Sequence, residues 1–516
     1  MRLRPTHRQA GSPRYRRPGG EWDVPTLDQL GSPRLQDGSL EVADSQHRLT
    51  PQELARRVGA VAGGLRAAGV KKGDAVAWQL PNCTEAFVLF RACWRLGAVA
   101  VPVHHLVGSA EVDRMLEPIG AKIAFSTPGL PLLARPGVRT AATGDAEWEA
   151  MCTAAPVHVG AARGSDLALA LFTSGSTGEP KVVLHTHRGL SSKAMTMVAA
   201  HGLTATDAVL MPAPLSHISG LLSGVLIPAA AGMRVTLMER WDPGHAIRLV
   251  QHERISFMIG PPTFFSSMAA APTFSRLAVV SMRLISCGSM TVSPDFVEAT
   301  AEAFDASVKR TYGSTEAPTV TTSTWGDPAA RARETDGRAV GSVELRVIDP
   351  DTGRTLGPGD PGELVLRGPE LFCGYADPAQ TAAAMTRGWF RTGDLATLDA
   401  EGWLTIIGRR KELIIRGGEN IVPAEVERVL EAHAAIEQAV VVGYADDRLG
   451  QRVAACVIAN RPFGLEECRA WFESRGIARF KTPERLITVD RLPSLSLGKP
   501  DRGAVAELVS RRAAAP

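Results

Sequence analysis

Between Ala75 and Val103 the chain carries a complete β-α-β unit. An apolar run from Ala75 to Leu80 is followed by a helical stretch from Thr84 to Leu96, then Gly97, then a second apolar run from Ala98 to Val103. Two near-continuous apolar strands joined by a helix lie parallel and are covered on both faces, which commits this part of the chain to a parallel-sheet α/β architecture. The alternation continues downstream. Leu167–Phe172 and Val182–His185 read as strands, Asp242–Glu253 as a helix and Ile255–Ile259 as a further strand. Upstream, Thr50, Pro51 and Glu53 supply an N-cap, a first-turn proline and a capping-box acid. Leu54, Val58, Val61, Ala62 and Leu65 then recur at helical spacing until Gly69, giving an amphipathic helix.

From about Asp336 the texture changes to short strands punctuated by Gly, Pro and Asp, at Val343–Ile348, Gly362–Arg367 and Trp403–Ile407. A new pattern starts after Gly408: Pro423 opens a helix carrying Val426, Val429 and Leu430, and Gln438–Val442 follows as a strand. The expected organisation is therefore α/β, with a large N-terminal domain of α/β subdomains and a β-rich subregion over 21–408, then a small C-terminal α+β domain over 409–516. Residues 1–20 hold six arginines and no acid and are expected to form a disordered basic tail. Without them, 51 basic side chains face 54 acidic ones, so the body is nearly neutral and no basic stripe with interleaved aromatics points to nucleic acid. The apolar run Leu221–Met233 is broken by Ser223, Gly224, Pro228 and Gly232 and is too short for a bilayer, so no integral membrane segment is expected. Seven scattered cysteines without a Cys-x-x-Cys pair argue against a disulfide framework or a structural zinc, and point to reducing cytoplasm.

The stretch richest in chemistry is Thr173–Lys181, TSGSTGEPK, between two expected strands. Hydroxyls, glycines and a terminal ammonium suit a loop whose N–H groups wrap a polyphosphate. It is not a Walker A loop, because Glu-Pro separates Gly178 from Lys181 and a strand, not a helix, follows. YGSTEA (Tyr312–Ala317) offers a flat ring for a purine at Tyr312, a hydroxyl at Thr315 and a hard oxygen ligand for Mg²⁺ at Glu316. In RTGDLA (Arg391–Ala396), Asp394 can accept two hydrogen bonds from a vicinal diol such as that of ribose. Two further strings complete the order: GRRKELIIRGGENIVPAEVE at Gly408–Glu427 and LGKPDR at Leu497–Arg502. Only nine Lys occur against 48 Arg, so lysines at 181, 411 and 499 stand out against the composition.

This ordered set resembles the adenylate-forming superfamily of acyl-CoA synthetases, adenylation domains and luciferases, over residues from about 50 to 510. The resemblance implies ATP and Mg²⁺ as cofactors and coenzyme A as the thiol substrate. It assigns Thr173, Ser174, Gly175, Ser176, Thr177, Gly178, Lys181, Tyr312, Gly313, Thr315, Asp394 and Arg409 to the nucleotide, and Glu316 and Thr177 to the metal. It further implies that Lys499 bridges carboxylate and phosphate, and that Lys411 is the hinge of a mobile C-terminal domain. It gives the acyl pocket to Ala213–Leu222, Ile259–Met268, Ser286–Met290 and Thr311–Val320, with His217, Ile218, Gly288, Ser289 and Met290 as its candidates and His217 bordering the acyl tunnel. The catalytic candidates are Lys499, Glu316, Thr177 and His217. Where the family usually has two glycines and an alanine, this chain has Cys287, Gly288 and Ser289.

The implied activity is ATP-dependent ligation of a carboxylic acid to CoA through an acyl-AMP. The alternative acceptor is the phosphopantetheine thiol of an acyl carrier protein. APLSHISGLL at Ala213–Leu222 contains no acid to hold an α-ammonium, which disfavours amino acids. The apolar candidates Ile218, Leu221, Leu222, Phe264, Phe265 and Met290 favour a medium-chain, alicyclic or aromatic acid.

Overall fold

A computed structural model describes residues 3–7, 15–30, 40–127, 130, 138–158, 160–174, 180–290, 292–416, 419–446, 448–494 and 500–513. By its packing the chain divides into two compact units, residues 1–344 with 366–390, and residues 345–365 with 391–516.

The helix expected after Thr50 spans Pro51–Ala67. Thr50 accepts from the Glu53 N–H at 3.3 Å, and the Glu53 carboxylate accepts from the Thr50 N–H at 2.9 Å. The β-α-β unit is realised as Ala75–Gln79, Thr84–Leu96 and Val99–Val103, with the two strands parallel and the helix closed by Gly97 at φ +69°. Among the described residues, a six-stranded sheet runs in the order Arg139–Ala142, Ile123–Ser126, Ala75–Gln79, Val99–Val103, Leu167–Ser174, Pro180–Thr186. Its two faces are covered from opposite directions. Val76, Trp78 and Ala100 pack with Phe87 and Phe90 of helix Thr84–Leu96, whereas Ala75, Ala77, Val99 and Val101 pack with Val112, Met115 and Leu116 of helix Ser109–Leu116.

A nine-stranded sheet has a parallel centre of Ser307–Tyr312, Leu284–Cys287, Phe257–Gly260, Ala208–Met211 and Arg234–Leu237. Helix His187–His201 covers one face through Leu190, Ala194 and Met197, and helices Pro243–Glu253, Pro262–Ala269 and Pro294–Phe304 cover the other. The buried Asn82 amide ties the two sheets at their carboxyl ends. It donates to the carbonyls of Met211, Ala213 and Met238 at 3.1, 2.9 and 3.2 Å and accepts from the Leu215 N–H at 2.9 Å. The run Leu221–Met233 is helical, with a π-turn at Leu222–Leu226 and a left-handed Gly232 at its end; no helix among the described residues is long and apolar enough to cross a membrane.

Residues 3–7 and 15–20, within the stretch expected to be disordered, are described and make specific contacts. Tyr15 is fully buried edge-on against Trp22, the Trp22 indole donates to the Pro369 carbonyl at 3.0 Å, and Thr6 donates to the Tyr375 carbonyl at 2.7 Å. Two aromatic anchors offset the ordering entropy that a purely basic tail could not.

Strands Glu344–Ile348, Gly362–Arg367, Trp389–Leu398 and Leu404–Arg409 lie side by side, and residues 345–365 and 391–408 of this β-rich stretch pack with the second unit although the expected boundary at 408 put them in the N-terminal domain. A second sheet is ordered Glu419–Ile421, Ile414–Arg416, Gly450–Ala459, Ile436–Asp446, with Arg485–Thr488 parallel to Gly450–Ala459. Helices Pro423–Glu431 and Leu465–Ser474 pack on one face through Val426, Leu430, Cys468 and Phe472, and helix Arg502–Ala513 packs on the other through Val505 and Val509.

No disulfide joins the seven cysteines, and Cys93, Cys287, Cys373, Cys456 and Cys468 are buried.

Candidate active site

The phosphate-loop candidate begins where strand Leu167–Ser174 meets its antiparallel partner, with Thr173 opposite Lys181 and Ser174 opposite Pro180. The turn between them, carrying Gly175, Ser176, Thr177 and Gly178, lies outside the described residues. The Lys181 ammonium stands 4.9 Å from the ring centroid of Tyr375, and the Tyr375 hydroxyl donates to Glu316 Oε1 at 2.7 Å. One tyrosine thus joins the two charged candidates, and burial together with the Glu316 carboxylate raises its pKa well above the ordinary phenol value. Among the described residues this is the one hydrogen bond to the Glu316 carboxylate, and no cation lies within ion-pair distance of it. The Thr315 carbonyl accepts from His185 Nε2 at 2.8 Å; burial lowers that imidazole to about 4, so it is neutral and its Nε2 carries the proton.

The loop from Tyr312 to Val320 is closed on itself. The Val320 N–H donates to the Tyr312 carbonyl at 2.8 Å, the Ser314 N–H to the Ala317 carbonyl at 3.0 Å, and the Phe372 N–H to the Glu316 carbonyl at 2.8 Å. Gly313 is required by space: a Cβ there would lie 2.3 Å from the Thr319 nitrogen. Thr319 itself adopts φ +35°, a left-handed conformation unfavourable for a β-branched residue.

The acyl-pocket candidates lie on this first unit as well. His217 opens helix Ile218–Leu221, and its ring centroid is 5.2 Å from that of buried His104. His104 accepts from the Leu106 N–H at Nδ1, 3.1 Å, and burial lowers its pKa to about 4. At Gly288 a Cβ would meet the Thr311 carbonyl and hydroxyl oxygens at 2.7 Å, and the next residue, Ser289, is exposed at φ +71°. Leu221, Leu222 and Phe265 are fully packed into the cores, whereas Ile218, Phe264 and Met290 stay partly exposed. This corrects the reading of the first three as open pocket lining, since a helical stretch this apolar packs inward on its own sheet.

In the second unit Asp394 and Arg409 are cross-strand neighbours, and Arg409 Nε donates to Asp394 Oδ1 at 3.0 Å. Lys411 sits in the exposed 3₁₀ turn Arg410–Glu412. Lys499 lies outside the described residues, but both flanks of its segment are held: Ser494 bridges Pro500, and the Asp501 N–H donates to the Pro493 carbonyl at 2.9 Å. Just beyond, Arg502 clamps Glu427 with two bonds of 2.6 and 2.9 Å and reaches the Val441 carbonyl at 2.7 Å.

Residues 33–376 match the AMP-binding enzyme family model, and residues 425–499 match the AMP-binding enzyme C-terminal domain. The chain belongs to the adenylate-forming superfamily. Among its relatives, a medium-chain fatty-acid–CoA ligase of Escherichia coli (strain K12) is 34% identical, over 86% of this chain and 83% of that protein. A feruloyl-CoA synthase of Amycolatopsis sp. is 35% identical over 92% and 96%. In three dimensions the chain resembles ATP-bound MatB from Rhodopseudomonas palustris (TM-score 0.87, 27% identity, 94% and 98% covered) and MenE of Bacillus subtilis in complex with its acyl-adenylate (TM-score 0.83, 27% identity, 93% and 98% covered).

For this superfamily member, the sequence motifs did not point to some of the groups that contact the candidate residues. Tyr375, and His104 beside His217, carry no spacing signal, because each is defined by contact with a residue distant in sequence.

Proposed function

We propose that the protein is an AMP-forming carboxylate:CoA ligase. The carboxylate of the acid attacks the α-phosphorus of ATP and pyrophosphate leaves, giving acyl-AMP. The CoA thiol then attacks the acyl carbon, AMP leaves, and the thiol proton is lost to water. The observation that carries this reading is the meeting of Lys181 and Glu316 on Tyr375 in a chain akin to acyl-CoA ligases over most of its length.

No side-chain nucleophile is needed, so the protein works by positioning and by offsetting charge. The residues Thr173 to Gly178 and Lys181 receive the leaving pyrophosphate, Tyr312, Gly313 and Thr315 the adenosine and its phosphate, and Asp394 and Arg409 the ribose. Glu316 offers a hard carboxylate oxygen with no cation in ion-pair reach among the described residues, a donor that suits Mg²⁺. Glu316 and Thr177 would hold that ion, which when bound offsets negative charge on the phosphate oxygens. Lys499 serves the first half-reaction, and the backbone at Lys411 turns before the second.

His217, Ile218, Gly288, Ser289 and Met290 border the acid, which is medium-chain, alicyclic or aromatic. Relatives named for medium-chain fatty acids, ferulate and indoleacetate support that range. A carrier-protein thiol is the alternative acceptor, and reducing cytoplasm the setting. The test is mass spectrometry of thioesters formed from ATP, Mg²⁺ and a panel of acids, with CoA and a phosphopantetheinylated carrier protein in parallel. Thioester on CoA supports the reading; thioester on the carrier alone replaces it, and no acyl-AMP from any acid removes it.

A further inference from the structure

Lys193, on helix His187–His201, is 1% exposed. Its ammonium lies 2.6 Å from Glu370 Oε1, itself in a residue 2% exposed, and donates to the Thr319 carbonyl at 3.0 Å. Taking both ions out of water is costly and is offset only by good geometry and additional hydrogen bonds, so a pair this deep calls for a reason beyond stability. Its two oxygen partners supply one.

Thr319 closes the loop that carries Glu316, and it does so in the left-handed region against Gly313. Glu370 begins the second segment that holds the same residue: the Phe372 N–H donates to the Glu316 carbonyl, and the Tyr375 hydroxyl to Glu316 Oε1. One ammonium therefore ties together the two stretches, 312–320 and 370–375, that fix the Glu316 backbone and carboxylate. A lysine suits the place better than an arginine, since a compact ammonium can reach two oxygens at a point where a planar fork would not fit.

We propose that Lys193, with Glu370, is a positioning residue for the Glu316 carboxylate, acting through the Thr319 carbonyl. The proposal rests on the role given to Glu316 above.

The experiment compares wild type with Lys193→Met/Glu370→Leu, in which both charges leave together so that no unpaired ion is buried, and with Glu370→Gln, which keeps an oxygen but not the charge. Two quantities are read on the intact protein: the Mg²⁺ concentration giving half-maximal acid-dependent pyrophosphate exchange, and amide hydrogen exchange at 314–320. In the double variant the Mg²⁺ half-saturation rises about tenfold while the acid KM stays within about twofold, and the 314–320 amides exchange faster. Glu370→Gln falls between. A folded variant with wild-type Mg²⁺ half-saturation and wild-type amide exchange overturns the proposal, and so does loss of the fold in both variants, which would make the pair a packing element. If wild type forms acyl-AMP from no acid, it is the ligase reading that fails, and the amide measurement still decides whether Lys193 holds the loop.

Discussion

Glu316 and Asp394 are two carboxylates in short motifs that each contain a glycine, Glu316 in the loop after strand Ser307–Tyr312 and Asp394 within strand Trp389–Leu398, and their surroundings are opposite. Glu316 is held by neutral donors, with a tyrosine hydroxyl on one oxygen and no cation in ion-pair reach among the described residues. Asp394 is 5% exposed and meets a guanidinium across the strand pair. A part-buried carboxylate without a counter-charge is unfavourable until a cation arrives, whereas one already paired has its charge offset. The difference matches the separate roles proposed for the two groups, a metal-bound phosphate at Glu316 and the ribose at Asp394.

The largest effect should come from the lysines that complete the second unit's chemistry. Lys499→Ala is expected to slow acyl-AMP formation about a hundred- to thousandfold, as loss of a transition-state charge contact does, while conversion of supplied acyl-AMP to thioester stays within about tenfold of wild type. Lys411→Pro should invert that pattern, because proline fixes φ near −65° and locks a backbone that must turn. Assaying both half-reactions on both variants decides it, and depression of the same step by both would end the division of labour between the regions.

Glu316→Gln keeps the shape and removes the charge, and should lower adenylate formation at least about tenfold. Unchanged pyrophosphate exchange at limiting Mg²⁺ would erase the contrast with Asp394. For Asp394→Ala, loss of hydrogen bonds to a charged acceptor, about 1.5–3 kcal/mol each, should raise the ATP KM about tenfold or more and leave the Mg²⁺ dependence alone. Equal use of ATP and its 2′,3′-dideoxy analogue by wild type would show that the diol contact is wrong.

A further effect is on stability and is carried by imidazoles of the first unit, opposed over the same pH range by Glu431 of the second unit, whose carboxyl burial raises to about 7. Burial lowers His104, His185 and His187 to about 4 and His201 to about 3. In the unfolded chain these rings take up protons near pH 6.5, so below that pH the unfolded state binds more protons. Stability is then full above about pH 6.5 and falls toward pH 4, with a slope approaching about 1.4 kcal/mol per pH unit for each ring. Thermal melts between pH 5 and 7 check this: a flat melting temperature would mean the rings are not buried neutral.

The elements with strong local signals were legible. The Thr50 capping box, the β-α-β unit closed by Gly97 and the helix opened by Pro423 all stand where periodicity placed them, since each is fixed by interactions within a few residues. What escaped reading is set by contacts between distant segments. Nothing local marks Lys193 as buried among so many solvated cations, or Tyr375 as the link between Lys181 and Glu316. The order of residues 3–7 and 15–20 was hidden for the same reason, because Trp22 finds its partner at Pro369.

Six of the cysteines have a consequence for an enzyme whose proposed substrate is itself a thiol. Burial pushes Cys152 up to about 11 and Cys373 and Cys468 up to about 12, and raises Cys83, Cys93 and Cys287 as well. Attack on a disulfide requires a thiolate, so at neutral pH these side chains are poor partners for oxidised CoA, and exchange that would leave CoA on the protein and release CoA thiolate is slow.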